Sequence, residues 1–204
     1  MESSGQYLRI TEQSNALDYL LRAVEFLEVV NKDPFAWKWV VLSLHGALYG
    51  FAICACKGTD PDVVKWKNKK GVYSLVGFNR ILCRCQTKNG MYPWGHCKPL
   101  VLNDSQKNSL RILKTVLRDN FEHYSPMAWS IELHGLPQIS LDVLEIIRFL
   151  VQDSKSWVGL ERDQKQTFII MLKRAIEILH HNSLYLELKT LESSTTVRPP
   201  KKNV

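Results

Sequence analysis

Within six consecutive residues, Arg118-Asp119-Asn120-Phe121-Glu122-His123, the chain carries a guanidinium, two carboxylates and an imidazole. These groups could support phosphoryl chemistry on RNA without a metal. A base must take the proton of a ribose 2′-hydroxyl, an acid must protonate the leaving oxygen, and cations must offset the charge gathered at phosphorus. Histidine titrates near neutral pH and can serve as either acid or base, while arginine stays charged and grips two phosphate oxygens at once. One such histidine per chain is one too few for two proton transfers.

Arg118 and His123 stand five residues apart, so an unbroken α-helix directs them about 140° away from each other. Convergence then requires a reorientation at the helix end, or a symmetric dimer that sets two motifs face to face. The dimer would also supply the second histidine. Asp119 precedes His123 by four residues and shares its face, where a carboxylate could orient the imidazole and favour its charged form. The helix C-terminus favours that form as well. Glu122 follows Arg118 by four. The plain alternative is a polar helix end with two ordinary charge pairs, since Arg-x4-His recurs by chance in many proteins.

The elements that must position these groups read as helices. Over residues 16–30, Leu17, Leu20, Leu21, Val24, Leu27 and Val30 recur at helical spacing with charges on the other faces. Asp33 and Pro34 are placed to cap and open a second helix over about residues 35–56. That helix is apolar nearly all round and long enough to raise the question of a membrane span. It contains His45 and the small residues Gly46, Ala47, Gly50, Ala52 and Ala55, and is expected to be the central core helix, with His45 a hydrogen-bonded core histidine. Residues 74–87 suggest a short helix, followed by a turn-rich loop over 88–95. A third long helix starts at the Asn103-Asp104-Ser105 capping cluster with Leu110, Leu113, Leu117 and Phe121 as its inner stripe, and Pro126 should end it soon after His123. Ser140 caps a helix through Leu150, and a last helix covers about residues 161–181.

The fold class that follows is all-α, an up-and-down bundle of about five to six helices. One domain covers residues 1–192, including a basic, partly irregular insertion at 57–103 between core helices. Residues 193–204, with Pro199-Pro200-Lys201-Lys202, read as a disordered basic tail. Residues 1–15 are polar and do not read as a secretory signal, and the five cysteines read as reduced thiols, so a cytoplasmic location without membrane association is expected.

The net charge of +7 is localised. Residues 57–98 hold nine basic against two acidic side chains, which accounts for the whole excess. Lys65, Lys67, Lys69, Lys70, Arg80 and Arg84 are interleaved there with Trp66, Tyr73, Phe78, Tyr92 and Trp94. Cations beside aromatic faces suit unstacked RNA bases, so these basic residues are candidate RNA-binding groups. The alternative is a solvated excursion whose aromatics anchor in the core. Cys83, Cys85, His96 and Cys97 could in number hold zinc, but Cys-x-Cys is tighter than usual ligand spacing, and no metal or cofactor is expected. His134, His180 and His181 are expected to face solvent without partners.

The segment 118–123 resembles the motif of the HEPN family of metal-independent ribonucleases, an arginine followed by a polar residue and then a histidine, on a late helix of a helical bundle. Trp129-Ser130-Ile131-Glu132 and Gly135-Leu136-Pro137, with the earlier Trp37-Lys38-Trp39 and Leu44-His45-Gly46-Ala47-Leu48, are similar to a plasmid-encoded subgroup related to toxin and abortive-infection proteins. The likeness covers about residues 16–155. It implies a homodimeric HEPN-like bundle that cuts RNA at paired motifs, in phage defence or a toxin–antitoxin system with a possible cognate antitoxin. Arg118 and His123 would be catalytic, with Asp119 the supporting polar residue. Some members only bind nucleotides or partners, so a non-catalytic module binding RNA or a protein is the alternative.

Overall fold

Thr11 and Ser14 open the first helix with a reciprocal capping box. The Thr11 hydroxyl accepts the Ser14 amide at 3.1 Å and the Ser14 hydroxyl accepts the Thr11 amide at 2.9 Å. This cap starts α1 (Glu12–Leu27) a turn earlier than the apolar stripe alone predicts. In the computed structural model, which describes residues 6–123 and 128–196, α1 buries Leu17, Leu20, Val24 and Leu27 against α2 (Ala36–Lys57). The Asp33 carboxylate accepts the Phe35 amide at 2.9 Å just before α2 begins. Gly50 lets the two helices approach closely, since a Cβ there would stand 2.7 Å from the Ala16 Cβ.

Among the described residues α2 is the one helix long and apolar enough to cross a membrane, yet 67% of its apolar window is buried within the fold. It packs against α1, α3, α6 and the segment holding Arg118, which makes it the axis of an all-α bundle. Its C-terminal end leads through a 3-10 turn (Pro61–Val64) into a hairpin, β1 (Lys65–Lys67) and β2 (Tyr73–Leu75), paired Lys65 to Leu75 and Lys67 to Tyr73. The Asn68 side chain accepts the amides of Lys70 and Val72, and Gly71 turns with φ of 81°. The short helix expected over 74–87 is therefore a strand at its start and α3 (Phe78–Cys85) after it. Phe78, Ile81, Leu82 and Cys85 form its buried stripe.

An irregular stretch then returns to the core, with the Tyr92 amide on the Ala55 carbonyl and the Leu100 amide on that of Cys85. Asn103 and Gln106 cap α4 (Asp104–Arg111), which continues as a π-helical segment, π1 (Ile112–Arg118), and ends as α5 (Asp119–Glu122). Pro126, expected to stop this rod, lies outside the described residues. α6 (Leu136–Arg148) runs on into a second π segment, π2 (Phe149–Asp153). The buried Asp142 of α6 accepts hydroxyls from Ser105 and Ser109 of α4 at 2.8 and 2.6 Å, fixing the rod on the core. Helix α7 (Arg162–His180) is followed by α8 (Ser183–Thr196). The last of these runs past residue 193, where the tail was expected to begin; residues 197–204 lie outside the described residues.

Candidate functional site

The π turn decides where the cations point. The Asp119 amide bonds the Lys114 carbonyl, five residues back, so the turn is one residue wider than in an α-helix. Side chains five apart then share a face: Lys114 Nζ donates to Asp119 Oδ2 at 2.7 Å. Arg118 donates to the other oxygen of that carboxylate at 3.0 Å and also pairs with Glu122 Oε2 at 2.5 Å. Hydrogen bonds from Lys114 and then Arg118 hold the Asp119 carboxyl below its ordinary value against the effect of burial.

After Arg118 the rod is α-helical again, and the His123 amide bonds the Asp119 carbonyl four residues back at 3.0 Å. His123 is the exposed C-terminal cap. Arg118 and His123 accordingly diverge within one chain, as the five-residue spacing implies for an α-helix. The expected role of Asp119 changes too. Its two oxygens serve Lys114 and Arg118, not the imidazole of His123.

What faces Arg118 is a cleft of about 540 Å³ between α1, α2, π1 and the foot of the hairpin. Lys114, Arg118 and Glu122 line one side, and His45, Tyr49, Leu75 and Phe78 line another. His45 was expected to be a hydrogen-bonded core histidine. Its side chain is half-buried and the ring stacks on Phe78 with centroids 4.3 Å apart, but its buried Nε2 has no hydrogen-bond partner among the described residues, and neither does Nε of Arg118. Burial first, and then the nearby cations Arg118 and Lys114, push the imidazole down to about 4, so it is neutral near pH 7. The Tyr49 hydroxyl donates to the Val76 carbonyl at 2.6 Å, and burial pushes its phenol up. No family model, curated protein or solved structure matches this chain. The site therefore rests on its own geometry.

The basic residues divide. Lys65, Lys67, Lys69, Lys70 and Arg80 are exposed on or beside the hairpin. The Lys67 ammonium lies 5.5 Å from the Tyr73 ring and the Arg80 guanidinium 5.5 Å from that of Trp66. Both rings are open to solvent, at 63% and 43% exposed. Arg84 departs from expectation, being half-buried with its guanidinium donating to the Val63 carbonyl. Phe78 is buried, so it is an anchor and not a stacking surface.

All five cysteines are free thiols. Cys83 is exposed, while the Cys85 sulfur lies 3.6 Å from that of Cys56 and Cys97 donates to the Pro93 carbonyl. Among the described residues no group of three or more His, Cys, Asp or Glu is placed to hold a metal ion. His134 is not solitary: Glu132 and Glu187 lie at 2.8 and 3.1 Å from its two ring nitrogens. The His181 ring also meets the Glu177 carbonyl at 2.7 Å. The sequence reading missed Lys114 and the cleft side of His45. A four-residue spacing between Lys114 and Arg118 was the available signal for the first.

Proposed function

We propose that this chain is a metal-independent endoribonuclease of HEPN type that acts as a homodimer on single-stranded RNA. The observation that carries this reading is the cleft itself. Leu75, Gly77 and Phe78, at the foot of the basic hairpin, line the same cavity as Lys114 and Arg118. Exposed lysines and two open aromatic rings thus stand on and beside a hairpin whose foot lines the cleft of the motif, which is an arrangement suited to guiding a polyanion with unstacked bases. In this reading the 2′-hydroxyl attacks the adjacent phosphorus, one histidine taking its proton. The 5′-oxygen leaves with a proton from another, and a 2′,3′-cyclic phosphate remains. Arg118 offsets charge on the phosphoryl oxygens. The exposed His123 of a second copy supplies what one chain lacks.

Purified wild type should cut mixed RNA in excess EDTA and leave cyclic phosphate ends. Arg118→Ala and His123→Ala should each lose roughly 10²- to 10⁴-fold in rate, with His123→Ala still binding RNA. A mixed dimer of one wild-type chain and one His123→Ala chain should be as inactive as His123→Ala itself, because the composite site needs both imidazoles. Half of the wild-type activity in that mixed dimer would place the site within one chain. No cleavage by any form, with RNA retained, would favour the non-catalytic binding module. That module has one observation on its side, the occupation of Arg118 by Asp119 and Glu122. A defence or toxin–antitoxin setting, with an antitoxin as partner, belongs to the same proposal.

A further inference from the structure

Two buried nitrogens without hydrogen-bond partners among the described residues, Nε2 of His45 and Nε of Arg118, belong to side chains lining one cleft. Buried polar atoms are nearly always paired, and a cavity of about 540 Å³ falls in the range of small-molecule sites. The charges around it are arranged in a matching way. Lys114 and Arg118 reach the cleft from π1, and their counter-ions are Asp119 and Glu122. These carboxylates are not equivalent. Asp119 is shared by both cations with its side chain 27% exposed, whereas Glu122 holds Arg118 alone and is 41% exposed on the rim of the cleft. A carboxylate oxygen against an arginine's terminal nitrogen stands where a phosphate oxygen would be held by the same fork.

We propose that the cleft binds the phosphate group of a ribonucleotide, which displaces Glu122 from Arg118, with Lys114 as the second cation and the unpartnered His45 Nε2 as a hydrogen-bonding group. Displaced Glu122 returns to water at the rim, so the exchange leaves no buried charge behind. Lys114 and Asp119 remain paired and keep the guanidinium in place. The neutral state of His45 adds no charge, and approach of a phosphate would draw its titration upward from about 4. Tyr19 and Tyr49 provide aromatic walls for ribose and base. The site is formed within one chain and requires neither RNA cleavage nor a second copy.

The test is calorimetric titration of the full chain with inorganic phosphate, adenosine 5′-monophosphate, adenosine, and 2′-O-methyl oligoribonucleotides with and without a 5′-phosphate. The monophosphate should bind saturably and adenosine should not. Equal binding of the oligonucleotide with a 5′-phosphate would assign the site to an RNA end, and exclusive binding of the mononucleotide to a free ligand; both support the phosphate site. Glu122→Gln should tighten the monophosphate roughly threefold by removing the competing carboxylate, and Arg118→Ala should weaken it about tenfold or more. The His45 ring resonances of the wild type should shift on saturation, which tests that residue without a core substitution. Equal affinity for adenosine, or indifference to both substitutions, would overturn the site. Binding of the monophosphate by a chain that cuts no RNA would sustain this inference and sink the nuclease, and cleavage without such binding would do the reverse.

Discussion

Lys114 and Asp119 stand five residues apart, as do Arg118 and His123, yet the first pair meets at 2.7 Å while the second divides between cleft and solvent. The difference lies in one backbone hydrogen bond. The Asp119 amide reaches back five residues and the His123 amide reaches back four, so spacing acquires meaning only with the local turn. A π turn costs stability in isolation and tends to mark functional sites. Here it gathers two cations on one carboxylate at the edge of a cleft, and the α-helical turn after it sends the histidine outward.

The largest expected effect beyond catalysis tests the cleft half of this comparison. Burial among rings such as Tyr49 and Phe78, and then the charges of Arg118 and Lys114 on the rod, opposed by that of Asp119, hold His45 near 4 against an ordinary 6.5. Below 6.5 the unfolded chain binds a proton that the folded chain refuses. Stability should therefore fall as pH drops from about 6.5 to about 4, by up to about 3 kcal/mol at about 1.4 kcal/mol per unit. Urea unfolding between pH 7.5 and 4.5 measures it. His45→Asn should flatten that part of the curve, and an unchanged slope would mean the ring is solvated.

A smaller contrast separates the two carboxylates. Asp119→Ala leaves Lys114 and Arg118 without their shared acceptor in a half-buried setting, and should cost about 1–3 kcal/mol in urea unfolding. Glu122→Ala removes an exposed i,i+4 pair and should stay within about 0.5 kcal/mol of wild type. Equal costs would deny that the wide turn makes the Asp119 cluster special.

The parts of this architecture that were legible in the sequence are those with a buried stripe. Leu17, Leu20, Val24 and Leu27 of α1, and Val143, Leu144, Ile147 and Leu150 of the α6 rod, alternate with polar residues at helical period and are buried as that pattern requires. The hairpin was not legible because all six of its strand residues are exposed, so no alternation of burial was written into them. The π turn was hidden for a related reason: Leu110, Leu113, Leu117 and Phe121 keep three- and four-residue spacings that also suit an unbroken α-helix. Arg118 could be found as a chemical candidate, but its neighbours could not. Lys114 and His45 join it through a turn type and a tertiary packing that neither spacing nor composition encodes. α8 was missed because its sequence carries only a weak apolar periodicity.

The smallest effect concerns the second unusual histidine, and its sign is opposite to that of His45. Hydrogen bonds to Glu132, and then to Glu187 of α8, raise His134 above its ordinary value. The folded chain thus holds a proton that the unfolded chain releases above 6.5, and the contribution is complete below 6.5 and lost as pH rises through the raised value. The side chains are well exposed, so the whole fold should hardly respond. The local consequence falls on α8, which His134 ties to the segment before α6. Amide exchange in α8, corrected for intrinsic pH dependence, should quicken between pH 6 and pH 8.5 in the wild type. In His134→Gln it should be fast and flat across that range. Slow exchange at both pH values in the variant would show that α8 is held by its apolar contacts alone and that the two carboxylates merely solvate the ring.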